Sequence, residues 1–499
     1  MNLSSITSFF KKKKKKLTVP DTILIKKLKS LSSQSNLLVY KNMNIYHHTN
    51  VYTIPLMVID ELRGIYLFET KEWTFDELKN ADIQKAEHQD SSENTLAFEN
   101  RQNIIRKKFN ELTHDDGVPI FNYLLMENLS ADEYEHLNDS FKELLPKEKI
   151  IFSDAQDADI FKKLQDASKE SDNLLPLEKI LTTLFIQHAI IDQGSKFHPA
   201  SQIQIDFIDN EEFPPIYTLR GVSASGKSNL LLLKSIVEVF SGNSKKIIII
   251  KPTLLACDIL KKKLLDIVEH AIIEFDLTAI EILTPLELLN KHQLKLGRES
   301  LTTLHIDDKL MKKSFPIADI IMCDDALLHP LEFTEYLKHI QKKSHLIFVH
   351  LDNDDTQQIN YRFQERKINF YKTNPHAKAM HLIASLIQRS DEKILVVSNS
   401  LSREKLKDDL DSFIENDINT LDSSIHLINQ KFTNLLLCNY LDTNELQVDH
   451  IILMDLCFSS ENEIEYAFHL STKSVNILYE EDCIEIKNLR IKYEQSTQE

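Results

Sequence analysis

Gly221-Val222-Ser223-Ala224-Ser225-Gly226-Lys227-Ser228 is the stretch on which the reading of this chain turns. It satisfies the pattern G-x-x-x-x-G-K-[ST]. A strand-like run, Ile216–Arg220, precedes it, and an amphipathic run, Asn229–Phe240, follows it. That strand–loop–helix setting is the one in which the pattern means a phosphate cradle. Glycine at 221 and 226 permits dihedrals that let successive backbone N–H groups converge on phosphate oxygens. The helix N-terminus adds its dipole. Lys227 is expected to reach the β- and γ-phosphates and Ser228 to offer its hydroxyl to Mg²⁺, with Ser223 and Ser225 in the same cradle. The ligand predicted is ATP or a related triphosphate.

Working outward, Ile317-Ala318-Asp319-Ile320-Ile321-Met322-Cys323-Asp324-Asp325 is a buried strand ending in two acids. Asp324 is the expected Mg²⁺ carboxylate, acting through water. Asp325 is the expected general base for the attacking water. Near-continuous apolar runs of four to seven residues recur after Ile216, among them Lys246–Ile250, Ile280–Leu283, Leu346–His350, Ile394–Val397, Leu435–Cys438, Ile451–Asp455 and Val475–Tyr479. Such runs, alternating with amphipathic helices, predict parallel sheets buried on both faces, arranged as two doubly wound domains.

Composition sets bounds. The chain has 499 residues and a formal charge of −17, which excludes a uniformly basic nucleic-acid coat but permits a local basic groove. Its 7 glycines are few for this length, so two of them within six residues is informative. Five scattered cysteines, Cys257, Cys323, Cys438, Cys457 and Cys483, with no CxxC, predict reduced thiols in a cytoplasmic protein. No apolar run approaches the length of a membrane span, so no membrane partner is expected. His47-His48 and His345…His350 have no ligand-type neighbours at metal spacing in sequence and are expected to pack or to face solvent.

Upstream, residues 21–170 mix strand and helix patterns: helical Asp21–Leu31, strand-like Leu37–Ile59 and Ile65–Glu69 around a Gly64 turn, helical Leu96–Leu112, then strand-like Val118–Leu125 and Lys149–Phe152. The expected organisation is a flexible Lys-rich tail at 1–20, an α/β domain at 21–170, a helical connector at 171–210, a first lobe with the phosphate loop at 211–390 and a second lobe at 391–499. Ile6, Phe9 and Phe10, just ahead of Lys11–Lys16, resemble the peptide by which proteins dock on a sliding clamp, although Leu3 stands where that peptide has Gln.

From Gln202 onward the order of motifs resembles the superfamily 1 (UvrD-like) DNA helicases, which have two RecA-like lobes. Lys251-Pro252-Thr253 is similar to the segment that contacts single-stranded nucleic acid in that family, and Ile282-Leu283-Thr284-Pro285 to the next DNA-contacting motif. Asp324-Asp325-Ala326 is similar to its Asp-Glu-Ala-Gln. Asp354-Asp355-Thr356-Gln357-Gln358-Ile359 resembles the D-x-x-Q-x-I segment, which implies that Gln357 senses the nucleotide. There are departures. Asn444-Glu445-Leu446-Gln447 stands where the family has K-G-x-E, Leu470 where its final motif has arginine, and Thr373–His376 where its fourth motif has another. Those arginines stabilise charge on the γ-phosphoryl group, and loss of one commonly costs about 10³–10⁵ in rate. Lys372, Lys378 and Lys473 are the candidate substitutes, though lysine lacks the bidentate fork.

Arg63-Gly64-Ile65-Tyr66-Leu67-Phe68-Glu69-Thr70-Lys71-Glu72-Trp73 is similar to the nuclease-related domain (NERD) of restriction-endonuclease-like fold. The resemblance implies a Mg²⁺-dependent nuclease site in which Glu69 binds the ion and Lys71 orients water. Leu56 occupies the place of the family's upstream metal-binding Asp, so a degenerate nucleic-acid-binding or scaffold domain is favoured over a cutting one. The expectation for the whole is an α/β protein in which a restriction-endonuclease-like domain precedes two RecA-like lobes. It would bind ATP and Mg²⁺ and act on single-stranded or partly duplex DNA, or RNA. The alternative is an ATP-gated nucleic-acid-binding scaffold or switch without unwinding activity.

Overall fold

The computed structural model describes residues 21–34, 37–79, 95–113, 118–167, 177–185, 202–209, 214–221, 226–241, 245–271, 273–274, 276–307, 310, 318–340, 345–351, 367–388, 392–413, 418–427 and 432–494. Ile6, Phe9, Phe10, Ser223, Ser225 and Gln357 lie outside the described residues. The chain divides into two compact units, one built mainly from residues up to 189 and the other from residues 190 onward.

The first unit carries a five-stranded sheet in the order β1 (Leu37–His47), β2 (Asn50–Asp60), β3 (Gly64–Lys71), β4 (Ile120–Met126), β5 (Ile150–Phe152). The first three strands are antiparallel and the last two join in parallel. Gly64 makes the β2–β3 turn with φ +120°, and a Cβ there would lie 2.3 Å from the Pro119 carbonyl oxygen. Alternation along the strands buries both faces. Leu56, Val58, Tyr66, Phe68, Tyr123 and Leu125 pack with Leu24, Ile25 and Leu28 of the helix Ile23–Gln34. Leu124, Met126, Ile150 and Phe152 pack with Leu129, Tyr134 and Phe141. Lys108, on the helix Thr95–Thr113, is almost wholly buried and donates to the Tyr46 carbonyl at 2.8 Å and the Leu184 carbonyl at 3.2 Å. Burial pushes its ammonium down to about 7, against a weaker opposing pull from Glu111.

The second unit holds two wholly parallel sheets. The first has the order β6 (Ile216–Gly221), β10 (His345–Leu351), β9 (Ile320–Cys323), β7 (Ile247–Ile250), β8 (Ile280–Leu283). One strand, β10, therefore separates the phosphate-loop strand from the acid-tipped strand. Ile248, Ile250, Ile321, Cys323 and Phe348 pack on one side against Leu288, Phe333, Tyr336 and Leu337. Leu230–Leu233 and Ile236 of the helix Lys227–Ser241 are buried, and Ser235 reaches the Met322 sulfur of β9.

The second sheet has the order β11 (Lys367–Lys372), β16 (Ser471–Tyr479), β15 (Val448–Leu453), β12 (Ile394–Val397), β14 (Leu435–Cys438), β13 (Ile418–Thr420). Helices cover both faces: Pro375–Ile387 and Ser400–Asp411 on one, Glu461–Phe468 and Ile484–Glu494 on the other. The doubly wound expectation holds here. Two strands escaped sequence reading, β11 and β13. Both lie at the ends of the order, are half-exposed and carry polar residues such as Asn369 and Asn419, so they lack the apolar run that marks a central strand. Leu255 and Ile259, from the helix Leu254–Ala271 of the first lobe, join the apolar core of the second.

One expectation is corrected. Cys257, Cys323 and Cys438 are free and buried, but Cys457 and Cys483 are joined in a disulfide, with Cα atoms 6.0 Å apart. Sequence spacing did not show this pairing, because it is the fold that brings the turn after β15 against the start of the last helix. Among the described residues no helix is long and apolar enough to cross a membrane.

Candidate functional site

The phosphate-loop pattern ends where the helix Lys227–Ser241 begins. Gly226 has φ +80°, a conformation that glycine adopts without strain. Lys227 opens the helix, is buried, and donates to the Gly221 carbonyl at 2.9 Å. Burial pushes its ammonium down to about 8, against the opposing pull of Asp325 and Asp324. Those acids stand at the carboxyl end of β9. Asp324 accepts a hydrogen bond from Ser228, and burial together with the charge of Asp325 raises it to about 6. Asp325 has φ +49°, an uncommon left-handed conformation for a non-glycine residue. The structure therefore brings Gly221, Gly226, Lys227, Ser228, Asp324 and Asp325 to one place.

A residue that the sequence reading assigned elsewhere completes this cluster. Lys251 was expected, by resemblance, to face nucleic acid. Instead it is fully buried, and its ammonium contacts Asp324 at 3.0 Å, Asp325 at 2.5 Å and Glu445 at 2.8 Å. Burial alone would push it down, but the three carboxylates override that and hold it well above the usual lysine range. Glu445 also pairs with Lys263 at 2.7 Å, and its carboxyl is held well below the ordinary range despite burial. Asn444 donates to Asp325 at 2.8 Å. The stretch Asn444–Glu445 thus meets the acids at the end of β9 and their lysine partner. Asp258 meets the His426 ring at 2.7 Å across the same pair of lobes. The signal in the sequence was Lys251 directly after four isoleucines: a strand-end lysine one strand away from two strand-end acids.

The donor set suits Mg²⁺ on one side only. Ser228 and Asp324 present hard oxygens of the kind that ion takes. On the other side, Asp325, Glu445 and the second oxygen of Asp324 already face the Lys251 ammonium. The candidate substitutes for the missing arginines are engaged within the second lobe: Lys372 with Asp482 at 2.7 Å, Lys378 over the Tyr371 ring at 4.3 Å, and Lys473 with Glu392 at 2.8 Å. Leu470 packs against the second-lobe core. Among the described residues, the second lobe presents to the acids the Asn444 amide, the Glu445 carboxylate and the Tyr466 hydroxyl. Burial and the charges of Asp325 and Asp324 push that hydroxyl well up.

In the first unit Glu69 and Lys71 share one face of β3 and pair at 2.8 Å, with Arg101 3.7 Å from the second oxygen of Glu69. Lys71 lies 4.9 Å over the Trp73 ring. Leu56 is buried opposite Phe68, and Asp60 at the end of β2 pairs with Arg63 at 3.0 Å. Among the described residues, no cluster of three metal-ligating side chains includes Glu69.

No family model matches this chain, and no curated protein matches it. Among solved structures the chain is similar to S. cerevisiae Dbp5 bound to RNA and ADP BeF3, at 13% identity over 60% of this chain and 88% of that one, with a TM-score of 0.41. It is also similar to the Escherichia coli DEAH/RHA helicase HrpB, at 11% identity over 56% and 42%, TM-score 0.39. A third likeness is to the Mycobacterium smegmatis helicase Lhr bound to ssDNA and AMP-PNP, at 10% identity over 56% and 46%, TM-score 0.39. Likeness at this level carries no residue roles to this chain.

Proposed function

We propose that this protein is a helicase-like, ATP-binding protein that acts on nucleic acid, with a nuclease-related domain in front of a two-lobed P-loop unit. The observation that carries this reading is Lys227 at a helix N-terminus, buried beside Ser228, Asp324 and Asp325. Backbone N–H groups around Gly226 bind phosphate oxygens, and the Lys227 ammonium orients the β- and γ-phosphates. Ser228 and Asp324 would hold Mg²⁺, which supplies charge neutralisation on the phosphates. Asp325 would accept a proton from an attacking water once its bonds to Lys251 and Asn444 are released. DNA is the substrate that the motif resemblance favours. In the first unit Glu69, Lys71 and Arg101 form a cation-rich patch beside Trp73, suited to holding a phosphodiester rather than to cutting it.

The test is ATP binding and hydrolysis by the full-length chain, with and without single-stranded DNA or RNA, for wild type and Lys227→Ala. Binding that is lost in Lys227→Ala, with turnover that rises on adding a single strand, is expected. A wild type that binds no ATP overturns the reading.

A second reading, an ATP-gated switch without translocation, is favoured by one observation. Lys251 ties both first-lobe acids to Glu445 of the second lobe, while among the described residues Lys372, Lys378 and Lys473 are engaged elsewhere. Tight ATP binding with turnover about 10³-fold or more below that of an arginine-equipped motor, unchanged by nucleic acid, supports the switch. Fast strand-stimulated turnover removes it.

A further inference from the structure

The first unit contains a second cluster of ligand-type side chains, remote in sequence from everything used above. His47 ends β1, and His48 follows it into the turn before Asn50. Consecutive strand residues normally point to opposite faces. Here His48 has φ +50°, and the two imidazoles converge, with centroids 4.4 Å apart and planes at 66°. Glu111, near the end of the helix Thr95–Thr113, meets both rings. One carboxylate oxygen lies 2.7 Å from Nε2 of His47 and 3.6 Å from Nε2 of His48. The three donor atoms all lie within 4.8 Å of one another.

We propose that His47, His48 and Glu111 form a binding site for one divalent ion of the Zn²⁺ class. An ion with imidazole nitrogens and a carboxylate oxygen at about 2.0–2.2 Å in tetrahedral geometry holds its donors about 3.3 Å apart. The observed 2.7 and 3.6 Å bracket that spacing, so small rotations of the rings and the carboxylate open the pocket. Two imidazoles select Zn²⁺, Co²⁺ or Ni²⁺ over Mg²⁺ and Ca²⁺, which prefer oxygen donors alone. Three protein ligands leave a position for water, so the site is of the open kind. The scaffold is held in place: Lys108, three residues before Glu111, donates to the Tyr46 carbonyl, which fixes this helix against the strand immediately before His47. His47 is buried, while His48 is partly exposed and gives the ion an entry path. Sequence spacing hid the site because the carboxylate comes from a helix more than sixty residues downstream.

The experiment titrates ZnCl₂ and CoCl₂ into chelator-treated full-length protein. It reads stoichiometry and affinity by calorimetry and the visible bands of bound Co²⁺. His48→Ala and Glu111→Gln are the informative variants, because both side chains are partly exposed and neither is needed for the core. A double Cys457→Ser, Cys483→Ser variant controls for the cluster of Cys457, Cys483 and Glu485. The expected result is one ion per wild-type chain, at least 10–100-fold weaker binding in each of the two variants and unchanged binding in the cysteine control. No stoichiometric binding by wild type, or equal binding by wild type, His48→Ala and Glu111→Gln, overturns the proposal and leaves the trio as a hydrogen-bonded anchor for the hairpin.

Discussion

Lys251 is the cation at the centre of the buried charge cluster beside β9. It is fully buried and faces three carboxylates, so removing it leaves Asp324 and Asp325 with only Lys227 as a nearby cation and Glu445 with only Lys263 at contact distance. Lys251→Met is therefore expected to lower stability by about 3–5 kcal/mol, the usual cost of breaking a buried ion pair from one side. Urea unfolding monitored on the second unit checks this, and an unchanged midpoint contradicts it. Asp442 is the opposite case. It is buried, and burial with the nearby charge of Asp422 pushes it up to about 7, against weaker opposing pulls from Arg403 and Asn439. An unfolded Asp ionises near 3.9. Between those two values the folded state holds a proton that the unfolded state has lost, so stability falls as pH rises through that window. Asp442→Asn should accordingly raise the melting temperature most at pH 8 and least near pH 4. A gain independent of pH would remove this account of Asp442. Neither residue was legible as a problem in the sequence: a lysine after a strand and an aspartate in a turn are ordinary until the fold buries them.

At the scale of elements, much was readable. The runs at 247–250, 320–323, 394–397 and 435–438 are strands because four consecutive apolar residues bury both faces of a parallel sheet. The helix Glu461–Phe468 opens on an acidic first turn, with Ser460 and Glu463 forming a capping box. The half-exposed strands Lys367–Lys372 and Ile418–Thr420 were invisible for the converse reason. Gly64 was legible as a turn, but the need for glycine there was not, since it depends on Pro119, which is distant in sequence. Gly64→Ala combines a positive φ with a clash against backbone and should cost about 1–3 kcal/mol, seen as a drop in the melting temperature of the first unit. Wild-type stability in that variant would contradict the turn geometry.

At the scale of the whole molecule, the motif stretch at 444–447 was legible as a departure but not as a contact. A lost K-G-x-E reads as an absence, whereas the folded chain uses Asn444 and Glu445 to close on Asp325 and Lys251. What binds the two lobes is therefore a polar network at the acids together with the apolar insertion of Leu255 and Ile259. On the function proposed above, nucleotide occupancy would be coupled to lobe closure through these same few side chains, and triphosphate binding would be the primary event. Equilibrium titration of ATP into the full-length chain, by calorimetry, for wild type and Lys227→Ala, tests this most directly. Saturable one-to-one binding by wild type, weakened about 10–100-fold in Lys227→Ala by loss of the charge-assisted bonds, is the predicted result. Wild-type affinity in the variant, or no binding by either protein, would contradict it.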